Sequence, residues 1–198
     1  DPVTEWKAEG DGVRVTTRSG DYLANRLVLA AGAWNGGLVR DLAIPLAIER
    51  QAVVWLEPQD RGGEYDAERF PIYAYEFKAG TICYGFPRLP RGVKASVMHD
   101  GVIVGDPSRV NRTVDNDEVR SLRAALRAVL PALSEAPVRE TAVCLFTNAP
   151  DHGFIIDFHP NHPQVLVSSP CSGHGFKFAS AIGELQADLV IAGKSRFD

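Results

Sequence analysis

The chain has little sulfur and no excess of positive charge. It holds 3 cysteines and 1 methionine in 198 residues. Cys83, Cys144 and Cys171 lie far apart, and an odd, sparse set does not build a disulfide framework. That usage points to a reducing compartment, the cytoplasm. The formal net charge is −4, with no basic run, acidic tail or low-complexity tract. This excludes the electrostatic footprint of a nucleic-acid binder. No apolar stretch reaches the ~20 residues of a membrane helix, and no secretory signal is expected. Walker loops, Gly-x-Ser-x-Gly elbows and Cys-x-x-Cys pairs are missing. The first residue is Asp1 and the one methionine is Met98, so the chain reads as a processed, cleaved or truncated piece.

What remains is an ordinary globular composition, 45% hydrophobic and 23% charged, enough for a core. Val13, Val15 and Thr17 alternate with polar residues, the pattern of a half-buried strand. Ser19-Gly20-Asp21 turns the chain back through Tyr22 and Leu23. The run 27–34 is continuously apolar and ends in small residues, which predicts a strand buried on both faces, with a short helix opening at Trp34-Asn35. Further strands are expected at 48–57, 72–77, 81–86, 142–146, 154–156 and 165–167. The segment 59–68 reads as a loop, Lys78-Ala79-Gly80 as a hairpin turn, and 92–105 as extended.

Asp115 and Glu118 fit a capping box. Val119, Leu122, Leu126, Val129 and Leu130 follow at helical spacing until Pro131 stops the helix. A last helix is expected over 175–192, with Phe178, Ala179, Ile182, Leu185 and Leu189 as its apolar face and Gly193 as its cap. No internal repeat is visible. Hairpins with a few helices make the middle α+β, and the two ends point to a second, α/β layer.

Several residues carry chemistry in principle. In Ser172-Gly173-His174-Gly175-Phe176-Lys177-Phe178, two glycines precede a helix whose first amides lack partners, and Lys177 adds positive charge. Such a place attracts an anion; a glycine turn with a solvated lysine gives the same pattern. Cys144, inside an apolar strand, reads as a buried core thiol. Lys94 and His99, five apart on a strand, would face opposite sides unless a bulge intervenes. His159 and His162, near His152 and Asp157, have a spacing found in zinc sites, but each precedes proline and reads as turn punctuation, so no metal is assigned.

Taken in order, four stretches resemble the monomeric sarcosine oxidase and N-methyltryptophan oxidase family, within the D-amino-acid-oxidase-like flavoproteins. They are Leu29-Ala30-Ala31-Gly32-Ala33-Trp34-Asn35; Cys83-Tyr84-Gly85-Phe86-Pro87 with Gly92-Val93-Lys94 and His99; Ala142-Val143-Cys144-Leu145-Phe146-Thr147; and Asp157-Phe158-His159-Pro160 with the 172–178 stretch. The resemblance implies the end of an FAD-binding α/β domain over 1–45, an inserted mixed or antiparallel-sheet substrate domain over 46–140, and a return to the FAD-binding domain over 141–198. It implies FAD bonded covalently through Cys144, with Gly32, Gly173, His174, Gly175, Phe176 and Lys177 at the cofactor. Lys177 would bind the substrate carboxylate. Lys94 would stand over the flavin where oxygen is activated, and Tyr84 and His99 would line the substrate cavity. The spacing from Lys94 to His99 is one longer than in some family members.

The family's Gly-x-Gly-x-x-Gly fingerprint and its carboxylate-binding arginine belong to an N-terminal half that this chain does not contain. The implied reaction is oxidation of an N-methylated or cyclic secondary amino acid by O2. A related FAD-linked dehydrogenase is the second reading, and a catalytically silent binding domain the third. The implied partners are the small amine, O2, and either the missing half or another copy of the chain. Membrane and nucleic acid are not among them.

Overall fold

The fold is that of a computed structural model, described for residues 1–59 and 62–197. The strands and helices follow in chain order. A meander opens the chain: β1 (Val3–Glu9), β2 (Gly12–Thr17) and β3 (Asp21–Ala24). Then come β4 (Leu27–Leu29), α1 (Asn35–Leu38) and β5 (Ala47–Leu56). The middle holds β6 (Tyr73–Lys78), β7 (Thr81–Leu89), β8 (Gly92–Val97), β9 (Val102–Val104), α2 (Asn116–Arg127) and α3 (Pro131–Ser134). The chain closes with β10 (Val138–Asn148), β11 (Ile155–His159), β12 (His162–Ser169) and α4 (Ala179–Ala192). The whole is α+β with mixed sheets. No described helix is long and apolar enough to cross a membrane.

Two compact units divide the chain. The first is Asp1–Ala47 with Phe146–Asp198, and the second is Ile48–Leu145. In the first, β1, β2 and β3 form an antiparallel sheet, while β12 lies between antiparallel β11 and parallel β4. As a central strand, β12 buries Val165, Leu166 and Val167 completely or nearly so. Val13, Leu29 and Val39 join Val165 and Val167 in one core. Trp6 packs on that core, and its indole nitrogen donates to the Leu38 carbonyl at 2.7 Å.

In the second unit the strand order is β10-β5-β8-β7-β6, with β9 also on β5. Period-two alternation puts Val54, Leu56, Val93, Ala95 and Val97 on one face, where Leu122, Ala125 and Leu126 of α2 meet them. Each large side chain buried there contributes roughly 1.5–3 kcal/mol. The capping box exists as read: the Asp115 carboxylate accepts from the Asp117 and Glu118 amides, and Glu118 accepts from the Asp115 amide. Glu118 also pairs with the buried guanidinium of Arg50, so one carboxylate both starts α2 and neutralises a core charge.

The structure corrects several local readings. The run 27–34 keeps strand geometry only through Leu29, and Leu27 and Val28 are half-buried. It leaves the sheet because Gly32 takes φ +54 and starts a 3-10 turn through Trp34. Pro131 does not end the long helix: α2 ends at Arg127 and Pro131 starts α3, where its missing amide hydrogen costs nothing. The strand expected at 142–146 is 11 residues long because β10 runs along β5. The last α-helix starts at Ala179, after a 3-10 turn over Phe176–Phe178, so Lys177 precedes it. Of its expected apolar face only Ile182 is buried; Phe178 and Ala179 are exposed. Gly193 does cap it, at φ +71. β1 carries no apolar alternation strong enough to announce it. Asp60 and Arg61, within the loop read at 59–68, lie outside the described residues.

Candidate functional site

In the second unit, one sheet face packs on α2 and the other carries most of the residues singled out from the sequence. Lys94 pairs with Trp55 across the β5–β8 ladder and with Phe86 across β7–β8; Tyr84 pairs with Ser96. Cross-strand partners share a face, so Trp55, Tyr84, Phe86, Lys94 and Ser96 stand together, opposite the α2 core. The Lys94 ammonium lies 5.0 Å from the Phe86 ring centroid, 5.9 Å from Trp55 and 6.0 Å from Tyr84. Aromatic faces at such distances attract a cation.

Cys144 on β10 is exposed, which overturns its reading as a buried core thiol. A long strand alternates its faces, and Cys144 falls on the open side between half-buried Val143 and Leu145. Glu140, four residues earlier on β10 and on the same side, binds the Arg91 that lies over Trp55, so Cys144 belongs to the same face. Burial pushes the Lys94 ammonium below the ordinary lysine value; a Cys144 thiolate opposes that shift and Arg91 reinforces it. Burial likewise raises the Tyr84 phenol, so it stays protonated, with a hydrogen bond to Ser96 as the opposing influence.

Arg91, Trp55 and Ser96 were not singled out from the sequence. The Arg91 guanidinium lies 3.6 Å above the Trp55 ring centroid and binds Glu140 through both ends, with Nε 2.7 Å from the carboxylate. Ser96 is buried; its hydroxyl donates to the Ala52 carbonyl at 2.6 Å and accepts from Gln51 at 3.2 Å. The available signal was strand parity: Ser96 shares it with Lys94, and Trp55 faces Lys94 once the register is known.

His99 does not lie on a strand with Lys94. β8 ends at Val97, and His99 sits in the following turn with φ +54, so the question of opposite strand faces does not arise. Its Nδ1 lies 3.1 Å from Oε2 of Glu49, a buried carboxylate whose other oxygen accepts the Gly101 amide at 2.8 Å. Glu49 too was missed, because a glutamate flanked by Ile48 and Arg50 has no sequence signature.

The remaining candidates belong to the first unit. β4 and β12 run parallel, so the segments that leave their carboxyl ends emerge on one side of the sheet. The first contains Gly32 and the second Ser172-Gly173-His174-Gly175. Asn35 ties the first to β12: its Oδ1 accepts the Ala31 amide at 2.8 Å, and its Nδ2 donates to the Ser168 carbonyl. Outside the carboxyl ends of parallel strands is where α/β sheets bind ligands.

Both glycines in the second segment are demanded by space. Gly173 has φ +77 and faces the Phe146 ring, and a side chain at Gly175 would overlap the Pro170 carbonyl. His174 stacks on Phe154 at 4.8 Å and donates from Nε2 to the His152 carbonyl at 2.9 Å. Phe176 is 96% exposed. Lys177 is exposed, its ammonium 5.1 Å from the Phe178 ring centroid.

His159 is buried with Nε2 2.9 Å from Asp41, and the His162 ring lies tilted against it at 4.7 Å between centroids. Among the described residues no three His, Cys, Asp or Glu side chains are grouped to hold a metal.

Comparison with known proteins fits this geometry. A family model described as FAD dependent oxidoreductase matches residues 1–189. The chain is 38% identical over 197 residues to a monomeric sarcosine oxidase of Streptomyces avermitilis, covering 98% of this chain and 51% of that protein. It is 35% identical over 199 residues to an N-methyl-L-tryptophan oxidase of Escherichia coli, covering 100% of this chain and 52% of the relative. The chain thus spans about half the length of the curated relatives it matches. Among solved structures, L-proline dehydrogenase from P. horikoshii superposes with a TM-score of 0.77 at 22% identity, over 98% of this chain and 50% of that one. At that identity the likeness concerns the fold alone.

Proposed function

The chain belongs to the FAD dependent oxidoreductase family, and we propose that it forms the substrate-facing part of a flavin-dependent oxidase of secondary amino acids, N-methylated or cyclic. The activity is that of the protein in which this chain is joined or packed to the half that its relatives carry in addition. The observation that carries the reading is the exposed Cys144 thiol, which shares its side of β10 with Glu140, the partner of the Arg91 that lies over Trp55 beside Lys94.

The residues present fit FAD. The Gly32 and Gly173–Gly175 segments bring bare backbone to the carboxyl ends of two parallel strands, suited to close approach by a dinucleotide. An exposed thiol beside a lysine and an arginine suits a covalent bond to the ring, since the thiolate is the reactive form. Bound FAD would supply the two-electron acceptor for the C–H bond next to the substrate nitrogen, with O2 as the final acceptor.

The side chains have separable tasks. Lys177, exposed and cationic, pairs with the substrate carboxylate. Lys94, held in its aromatic setting, offers positive charge where negative charge develops on oxygen. Tyr84, kept protonated by burial, lines the cavity with His99. His174 and Phe176 shape the cofactor side of the glycine segment. The products expected of such an oxidase are an imine, open to hydrolysis by water, and H2O2. The second reading is an FAD-linked dehydrogenase of related fold.

Two measurements on the flavin-loaded protein test the proposal. Intact mass should show a flavin-sized addition that survives acid precipitation. Peroxide should form in step with loss of N-methyl amino acid in air. Turnover only with an artificial acceptor would favour the dehydrogenase. A colourless protein of bare sequence mass would leave a silent binding domain.

A further inference from the structure

β5 changes partner along its length. Arg50 faces Val102 of β9, while Val54 faces Ala95 of β8. Four steps along β5 therefore match seven along the other strand, and the three extra residues bulge out of the ladder. Side chains close the gap that this leaves. The Ser96 hydroxyl donates to the Ala52 carbonyl at 2.6 Å, and Nε2 of Gln51 donates to the Val97 carbonyl at 2.7 Å.

The Val97 carbonyl can only accept, so the Gln51 amide is fixed with its NH2 group toward β8. Its oxygen is left on the far side of the amide. Gln51 is 3% exposed, and Oε1 is buried with no hydrogen-bond partner among the described residues. Buried acceptors are nearly always answered by a donor. Gln51 also walls a cavity of about 270 Å³ at the same gap. That space suits a small molecule and falls short of the roughly 300–1,000 Å³ of drug-sized pockets.

The other walls fix the charge of the occupant. Ala52, Val54, Val97 and Leu122 supply apolar surface. Asp117 and Glu118 line the cavity too, but Arg120 and Arg50 already answer them. The Asp117 and Glu118 amides at the start of α2 are taken by Asp115, so they are not left to attract an anion. Asp100, in the bulged turn, has neither an ion pair nor a hydrogen bond among the described residues. The cavity thus offers an unanswered buried acceptor, one unbalanced negative charge and an apolar wall.

We propose that this cavity binds a small alkylammonium ion, its N–H groups taken by Gln51 Oε1 and the Asp100 carboxylate and its carbon chain laid against Val54, Val97 and Leu122. Those three apolar residues belong to the α2 side of the sheet, opposite Lys94. The site is therefore separate from the face assigned to the flavin, and it does not depend on the oxidase reading.

The test titrates the full chain at neutral pH with n-propylammonium, followed by 15N–1H spectra. Tetramethylammonium, a cation without N–H, and 1-propanol, the same chain without charge, are the controls. n-Propylammonium should shift the Gln51 side-chain amide and the Ser121 and Leu122 signals. It should bind about tenfold or more tighter than either control, the scale of one charge-assisted hydrogen bond. Asp100→Asn, at an exposed residue, should leave the spectrum of the fold intact and weaken n-propylammonium about tenfold. Gln51→Met should weaken it as much, and if that variant fails to fold the Asp100→Asn result decides. Equal binding of tetramethylammonium would reduce the site to a patch of negative charge and overturn the proposal. Shifts confined to Tyr84, Phe86 and Lys94 would overturn it by placing the amine on the other face. The absence of any saturable shift would overturn it as well, leaving a buried water as the partner of Oε1.

Discussion

Gly173 faces the ring of Phe146 so closely that a Cβ added there would lie 2.7 Å from two ring carbons. Its φ of +77 is also one that side chains resist. Gly173→Ala therefore combines backbone strain with overpacking, together about 1–3 kcal/mol. A fall in the urea midpoint measures it. An unchanged midpoint would mean that the segment repacks freely and that the glycine is not required by space.

Cys144→Ser should leave the fold intact, because the thiol is exposed and a surface substitution typically shifts stability by less than about 0.5 kcal/mol. In the flavin-loaded protein it should release the flavin on acid precipitation. Covalent flavin retained in that variant would refute the assignment of Cys144.

The three thiols should differ in reactivity. Cys144 is exposed, Cys171 is intermediate and Cys83 is fully buried, and burial raises the Cys83 and Cys171 thiols above their ordinary value. Mass mapping after limited alkylation of the folded chain should find Cys144 modified first and Cys83 last. Modification of Cys83 ahead of Cys144 would contradict the burial pattern of β7 and β10.

Lys94 gives a pH dependence with a definite sign. Burial lowers its value, so between that lowered value and the ordinary lysine value near 10.4 the unfolded chain binds more protons than the folded one. Stability then rises with pH across that window. Lys94→Met removes this contribution. Urea midpoints between neutral pH and about pH 10 should rise less in the variant; parallel curves would show that burial does not perturb Lys94.

Lys177→Ala should weaken the amino-acid substrate roughly ten- to a hundredfold, the worth of a charge-assisted contact of about 1.5–3 kcal/mol, with flavin still attached. An unchanged Michaelis constant and turnover would leave Lys177 as a solvated lysine resting on Phe178.

Much of this was legible residue by residue because the causes are local. The capping box needs only Asp115 and Glu118 three residues apart, and the hairpin turn at 78–80 needs only a glycine between two alternating runs. The four stretches that carry the family resemblance survive in the sequence because each depends on a short run of residue types. Strand ends were less legible. Leu29 ends β4 because the backbone turns at Gly32, and β10 outgrows its apolar stretch because it has β5 beside it.

The sequence by itself determined most of the strands, though not β1, and where α2 begins, because those depend on side-chain type and near spacing, while the candidates Tyr84, Lys94, Cys144 and Lys177 took their roles from the family resemblance. Only the tertiary structure decided that Cys144 faces outward, that Trp55 and Phe86 surround Lys94, and that Glu49 holds His99 from 50 residues away. The physical reason is register. A one-residue slip in strand pairing reverses every face, and register is set by partners far apart in the chain.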